Sequence, residues 1–447
     1  MEESSVWQGV CGFEIETSLV QVPRRNDTAA HCLELLSSCP HLILTQSSSS
    51  AWLKNGGRFY IEGIGCHPEI TSPECGWNPF ETTAYFLAAT QILRDSATFL
   101  SDERKAKRTL IFLNNESSGK PRDSNKSWGF HENYFVPLTV IPTIEKWCRE
   151  ILPFLVTRQV LSGSGILRKD GFEISQKARH IMQASSIPAT TNKPIVNARP
   201  ETLTNNKDFT RIHVTSGDTP VIEFQVWLNF GIAMMVFSAA NLGLLSPLRG
   251  ITAPHDPVNA FKQISLDLSF KSQFQTEDGY FATALDVQKI LLDTVGEMIV
   301  QHDDKIPVWM ADVCLEWENI LNLLSKNPVP FEALEDTLGW ANKLLLLKRC
   351  SRDGSVFYND TTKKIEVIYH EITSPPEAIR NAKDLSRRVV KPEDVVKAVE
   401  TPPETRARNR VAIINSQHVH YLNWTHIKTE SENIALDMPF LDSSLPH

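Results

Sequence analysis

The sequence predicts an α+β chain, strands of alternating polarity interleaved with long apolar helices, with a small separate domain at its C-terminal end. Three observations carry this expectation. Residues 10–17 and 58–62 alternate apolar and polar side chains with the two-residue period of a half-buried strand. Residues 81–100 and 222–242 carry the apolar stripe or run of a packed helix. From about Pro375 the composition shifts toward charge, with Arg380, Lys383, Asp384, Arg387, Arg388 and Lys391 in close succession.

Composition limits the classes of function. A chain of 447 residues can bury one large core with an appendage, or two moderate domains. With 41% hydrophobic and 22% charged residues, disorder and fibres are excluded as global descriptions. The formal net charge of −8 gives no global attraction to nucleic acid or to an anionic membrane. Met-Glu-Glu-Ser-Ser at the start lacks a basic region followed by an apolar run, and no window has the length of a membrane span, so the expected location is the cytoplasm. The eight cysteines include no Cys-x-x-Cys pair, which fits reduced, mostly buried thiols. Cys66-His67 with Cys75 has the wrong spacing for zinc.

In chain order, the first strand (10–17) points Phe13 and Ile15 one way and Glu14 and Glu16 the other. Carboxylates two residues apart on a strand lie roughly 7 Å from each other, a spacing that suits two neighbouring divalent cations, although an acidic pair also makes an ordinary solvated face. Residues 28–38 form a short helix and 45–50 a Ser-rich connection. Asn55-Gly56-Gly57 supplies a turn, and the next strand puts Arg58, Tyr60 and Glu62 on one face. Gly63, Gly65 and Pro68 break that strand and return His67 and Glu69 toward its end. After the 81–100 helix come a strand at 109–114, a Ser/Gly/Pro/Asn-rich loop and the run Trp128-Gly129-Phe130-His131-Glu132-Asn133-Tyr134. Residues 154–161 read as a strand and 174–184 as a helix. Two extended segments follow, 193–199 and 211–214, in which Arg211 and His213 share a face. Residues 222–242 read as a core helix, interrupted by Glu223, Gln225 and Asn229. Further helices open at Asp256-Pro257-Val258 and at Ala284, and 306–325 with 335–350 read as a helical hairpin.

Several of these segments resemble the motifs of the Pup ligase and depupylase family. They are Gly12-Phe13-Glu14-Ile15-Glu16-Thr17, Asn55-Gly56-Gly57-Arg58-Phe59-Tyr60, His67-Pro68-Glu69, the run around His131, Thr157-Arg158-Gln159, Pro194–Arg199, Arg211-Ile212-His213-Val214 and Thr401-Pro402-Pro403-Glu404-Thr405-Arg406. The resemblance extends from Gly12 to about Thr425. It implies a glutamine-synthetase-like fold, a curved antiparallel sheet packed with helices, with residues 1–375 as the catalytic domain and 376–447 as a small domain completing the nucleotide site. It also implies an ATP-dependent carboxylate-amine ligase. Such an enzyme phosphorylates the γ-carboxylate of a C-terminal glutamate on a small disordered Pup-like modifier, then joins it to a lysine of a protein substrate; neither nucleic acid nor membrane takes part. The implied cofactors are ATP and Mg²⁺. Glu14, Glu16, Tyr60, Glu69, His131 and His213 are then expected at the metal, and Arg58, Ser72, Arg199, Arg211, Arg406 and Trp424 at ATP.

A carboxylate resists attack by an amine because it is negatively charged and has no good leaving group. Phosphorylation removes both obstacles, and metals with arginines offset the repulsion between the two anions. A base must then deprotonate the incoming lysine, and Glu62 is the candidate. Glu62 departs from the family, which has aspartate there, and one extra residue separates it from His67. Gly339-Trp340 likewise replaces Asp-Trp. The short interval between the first strand and Asn55 is as in the ligase branch. The alternatives are a Pup deamidase or depupylase, or a phosphotransferase or non-catalytic nucleotide-binding accessory protein of the same fold.

Overall fold

The computed structural model describes residues 9–22, 28–63, 66–103, 108–113, 128–245, 250–302, 306–351, 354 and 356–447. Gly65, Asn114, the loop before Trp128 and the first five residues, all used above, lie outside them. The first part of the chain runs β1 (Val10–Val22), α1 (Thr28–Ser37), β2 (Leu42–Ser47), β3 (Ser50–Leu53), β4 (Arg58–Glu62), β5 (His67–Thr71), β6 (Cys75–Gly76), α2 (Pro79–Glu103), β7 (Arg108–Leu113) and β8 (Phe130–Pro137). Next come α3 (Ile144–Glu150), α4 (Leu152–Thr157), α5 (Gln159–Ser162), β9 (Ile166–Arg168), β10 (Gly171–Glu173), β11 (Gln183–Ser186), α6 (Ala189–Asn192), β12 (Pro194–Asn197) and β13 (Phe209–Gly217). The second half is mostly helical: α7 (Glu223–Asn241), α8 (Pro257–Leu266), a hairpin of β14 (Gln273–Gln275) and β15 (Phe281–Thr283), α9 (Ala284–Gln301), α10 (Trp309–Leu324), α11 (Gly339–Arg349), α12 (Asp360–Ile368), α13 (Glu377–Asp384), α14 (Pro392–Glu400) and α15 (Arg406–Ser416). It closes with β16 (Val419–Leu422), β17 (His426–Thr429) and β18 (Asn433–Ala435).

Eleven strands form one sheet in the order β11-β12-β13-β8-β1-β5-β4-β3-β2, with β6 and β7 also paired to β1. All described pairings in it are antiparallel except β11 with β12. The fold is α+β, as the sequence predicted. The alternation in β1 divides the sheet's two faces. Phe13 and Ile15 point into the core with Phe59 and Ile70, and the rings of Phe86 on α2 and Phe230 on α7 lie 5.7 and 6.1 Å from Phe13. Helix α7 is the one described helix long and apolar enough to cross a membrane, and 94% of that window is buried inside the protein. It is a core helix, as expected.

Five local expectations differ from the structure. Residues 154–161 are helical, forming α4 and α5 rather than a strand. Every side chain of α4 is buried, so no polar face reveals a helical period, and Pro153 sits in its first turn. Residues 174–184 hold only a single 3₁₀ turn, Ala178–His180, and the start of β11. The Met182 N–H goes to the Lys193 carbonyl at 3.1 Å and Gln183–Ser186 pairs with β12, so the end of the segment gives its backbone groups to the sheet instead of to a helix; the buried Asp218 carboxylate accepts the N–H groups of Gln176 and Lys177 at 2.9 and 3.1 Å. The Ser-rich segment 45–50 is the tip of a β2–β3 hairpin. Pro68 does not break a strand but lies within β5, opposite Ile61, and its carbonyl accepts the Thr17 hydroxyl at 2.8 Å. Helices α10 and α11 form near the expected places but face different neighbours. Trp317 of α10 donates to Gln288 of α9 at 3.1 Å, whereas Trp340 of α11 donates to the Val160 carbonyl at 2.9 Å.

The 376–447 segment makes two kinds of contact. Helix α13 supplies Ile379 and Ala382 to a cluster with Leu346 and Tyr369, and α14 packs on α2. Helix α15 and β16–β18 instead enclose Ile413, Leu422, Ile427, Ile434 and Leu436 around Trp52 of β3.

Candidate active site

Register places the polar side chains of the sheet's open face in rows. Glu14 on β1 pairs with His131 on β8 and Thr71 on β5, and Arg58 on β4 pairs with Thr71. The next row holds Glu16, Glu69 and Tyr60. The third holds Glu62 opposite His67. Because side chains on one strand face recur every second residue, neighbouring rows stand roughly 7 Å apart. His213 on β13 enters beside the first row by pairing with Asn133 of β8.

Two carboxylate–imidazole groups result, Glu14 with His131 and His213, and Glu16 with His67 and Glu69; within each, the candidate ligand atoms lie within 4.8 Å of one another. His131 connects them, with Nδ1 3.2 Å from Glu14 and Nε2 4.0 Å from Glu16. Glu16 also accepts the Gly129 backbone N–H. His67 stacks on Trp128 with centroids 4.0 Å apart, and its Nδ1 is 3.7 Å from Glu62 Oε2. Burial opposes ionisation of Glu14, but His213 and His131 outweigh it and hold its pKa well below the usual carboxylate range. Burial followed by the charges of Glu14 and Glu16 pushes Glu69 well up. Burial and then Glu69 and Glu14 do the same to the Tyr60 hydroxyl. Glu62 is raised by burial and then by Glu16.

Four carboxylates crowded together in this way suit a divalent cation with hard oxygen ligands. One buried atom supports the fit: His213 Nε2 has no hydrogen bond and lies 3.6 Å from Glu14 Oε2, past hydrogen-bond length.

A cleft of about 270 Å³ adjoins the first row, with Glu14, Arg58, Tyr60, Ser72, Arg211, His213, Arg406 and Trp424 among its walls. The Ser72 hydroxyl accepts the Phe13 N–H at 3.0 Å. Arg58 donates to Ser50 Oγ and to Gln46 and lies 5.5 Å from the rings of both Trp52 and Tyr60. Arg211 is aimed by Asn133, which accepts its Nη1 at 2.8 Å while donating to Glu14 at 3.1 Å. Arg199 is not brought into the cleft. It is 54% exposed and pairs at 3.5 Å with Glu201, which also takes Arg211 Nη2 at 3.0 Å.

Sequence reasoning did not select His67, Asn133, Glu74, Glu201 or Arg410. The first two stand inside motifs already singled out, and their positions two residues from Glu69 and from His131 were a usable signal. Glu74 and Arg410 are 336 residues apart, and nothing local joins them.

The sequence profile of the family described as Pup-ligase protein matches residues 14–428. The chain belongs to that family. A Pup–protein ligase from Bifidobacterium longum is 30% identical over 430 residues, covering 89% of this chain and 85% of the relative. One from Kocuria rhizophila is 28% identical over 413 residues, covering 85% and 84%. Among solved structures, the complex between the prokaryotic ubiquitin-like protein Pup and its ligase PafA superposes with a TM-score of 0.85 at 23% identity, covering 99% of this chain and 92% of that one. The PafA complex with ADP gives 0.76 at 25% identity, covering 89% of each. The Pup-ligase fold is therefore shared over nearly the whole chain.

Proposed function

We propose that the protein is an ATP-dependent ligase. It phosphorylates the γ-carboxylate of a C-terminal glutamate on a Pup-like modifier, then joins that carbonyl to the ε-amine of a protein lysine with loss of phosphate. One observation carries the reading: a single sheet face runs without interruption from an aromatic and arginine-lined cleft, past the carboxylate–imidazole groups, to Glu62 at the open end. The relatives named above are called Pup–protein ligases, and among the described residues only α1, β2 and β3 lie between β1 and β4.

On this reading Trp424 stacks on the adenine, and Arg58, Ser72, Arg211 and Arg406 line the path of the ribose and phosphates. Arg199 belongs to the rim, where it shares Glu201 with Arg211. Glu14, Glu16, Glu69, His131 and His213, with Tyr60, hold Mg²⁺. Bound there, Mg²⁺ neutralises charge on the triphosphate and on the phosphoryl group in transfer. Arg211, held by Asn133, adds a fixed positive charge to the same path. Glu62 is one-third exposed at the mouth, within reach of an incoming amine, and its raised pKa makes it a stronger base than an ordinary carboxylate. A reaction that draws on ATP and protein lysines assigns the protein to the cytoplasm.

The test is phosphate release from ATP by the purified protein with a Pup-like modifier, a lysine-bearing protein and Mg²⁺. The expected result is turnover that needs all three and yields an isopeptide bond seen by mass spectrometry. Hydrolysis of a preformed conjugate without any ligation would instead establish the depupylase reading.

A further inference from the structure

Glu74 stands outside the carboxylate rows, yet the base end of the cleft is assembled on it. Its side chain, 11% exposed, accepts Arg406 Nε at 2.7 Å and Arg410 Nη2 at 2.6 Å on Oε1, and Arg410 Nη1 at 3.0 Å on Oε2. Its carbonyl accepts the Thr405 hydroxyl at 2.7 Å. Arg406, which lines the cleft, also gives its Nη1 to the carbonyls of Leu203 and Leu436 and so ties the cleft wall together. Arg410 is fully buried, with its guanidinium 4.8 Å from the Trp52 ring and 4.9 Å from the Trp424 ring. Its Nη1 also donates to the Gly56 carbonyl at 3.0 Å, on the turn that starts β4. The two indoles meet edge-on at 70° with centroids 4.9 Å apart, and the guanidinium sits against both at nearly the same distance, bracing the angle between them.

The geometry points to Glu74 as the positioning residue of the purine subsite: through Arg410 it holds the Trp424 indole in the orientation that stacks on the base. The inference rests on the reading of the cleft as an ATP site. Among the described residues Glu74 is the carboxylate paired with Arg410, and it grips both ends of the fork; a guanidinium free to turn would release Trp424. Lysine at 410 would keep the charge but lose both the fork and the flat stacking surface.

Titration calorimetry on the full-length protein tests this with two probes, Mg·ATP and Mg·tripolyphosphate. The second has the phosphates but no base. Arg410→Lys should weaken ATP binding on the order of tenfold or more, the scale of a lost base–aromatic stack, while tripolyphosphate binding stays within about twofold; Glu74→Gln, which also frees Arg406, should weaken ATP binding at least as much. Arg410→Lys keeps the buried charge balance and stands in if Glu74→Gln does not fold. In Arg410→Lys, equal losses for both probes or undiminished ATP affinity overturn the assignment. A wild-type protein that binds tripolyphosphate no more weakly than ATP overturns the nucleotide reading itself, a result that needs no variant.

Discussion

At the scale of single residues, the proposed base Glu62 carries the sharpest prediction. A glutamate carries its carboxylate over 1 Å farther from the backbone than the family's aspartate, and misplacement on that scale costs on the order of 100-fold in rate. In this protein the residue sits at the end of β4 opposite His67, and the resemblance to the family implies one extra residue between the two, a change of spacing that accompanies the longer side chain. Glu62→Gln should therefore abolish isopeptide formation while leaving ATP affinity within about twofold, and Glu62→Asp should also be impaired. Full ligation by the Gln variant would remove Glu62 from the role of base. Glu74 makes a different prediction. Burial opposes its ionisation, but Arg410 and Arg406 outweigh that and bring its pKa from 4.5 to about 2. Because the folded value is the lower one, its contribution to stability is present above pH 4.5 and lost as pH falls toward 2. That contribution is on the order of 3 kcal/mol, and urea titrations of wild type and Glu74→Gln between pH 7 and 3 should converge as the pH drops. A constant gap between them would show that the carboxylate is not held ionised.

At the scale of elements, what the sequence revealed depended on how local the cause was. Strand β1 and helix α2 were readable because each turns one face to the core and one away, leaving a period in the residues. Helix α4 has no such second face. The 174–184 segment was misread because its end is claimed by β12, a strand outside the segment. The site followed the same rule: Glu14, Tyr60 and Glu69 announce themselves within their strands, whereas Glu74 acquires meaning only beside Arg410. Gly339, at the start of α11, is now explicable. A Cβ there would meet Gln225 Oε1 at 2.5 Å, and Gln225 cannot retreat because its amide is donated to the carbonyls of Leu161 and Gly163. Restoring the family residue by Gly339→Asp should cost about 1–3 kcal/mol in a urea melt, the scale of losing buried hydrogen bonds. Adding Gln225→Ala should give a sum that is less than additive. Strict additivity would mean that the two residues do not press on each other.

At the scale of the whole molecule, the C-terminal segment divides in its attachments. A chain ending at Glu400 keeps α13 on its cluster and α14 on α2, but loses Arg406, Arg410 and Trp424. It should unfold cooperatively and bind no ATP. A chain ending at Ser374 loses Ile379 and Ala382 from beside Leu346 and Tyr369, and should not fold. Circular dichroism melts separate the two, and an unfolded 1–400 chain would make the last segment integral to the main core. Arg58, Tyr60 and Glu62 stand two residues apart on β4, so on the proposed reading the pitch of one strand spaces nucleotide, cation and base over about 13 Å. That strand is a measuring rod. On the proposed reading, reach as well as charge selects the terminal residue: an aspartate carboxylate, one methylene short, is expected to fall about 1 Å short of a glutamate's, and a modifier ending in aspartate should be ligated on the order of 100-fold more slowly.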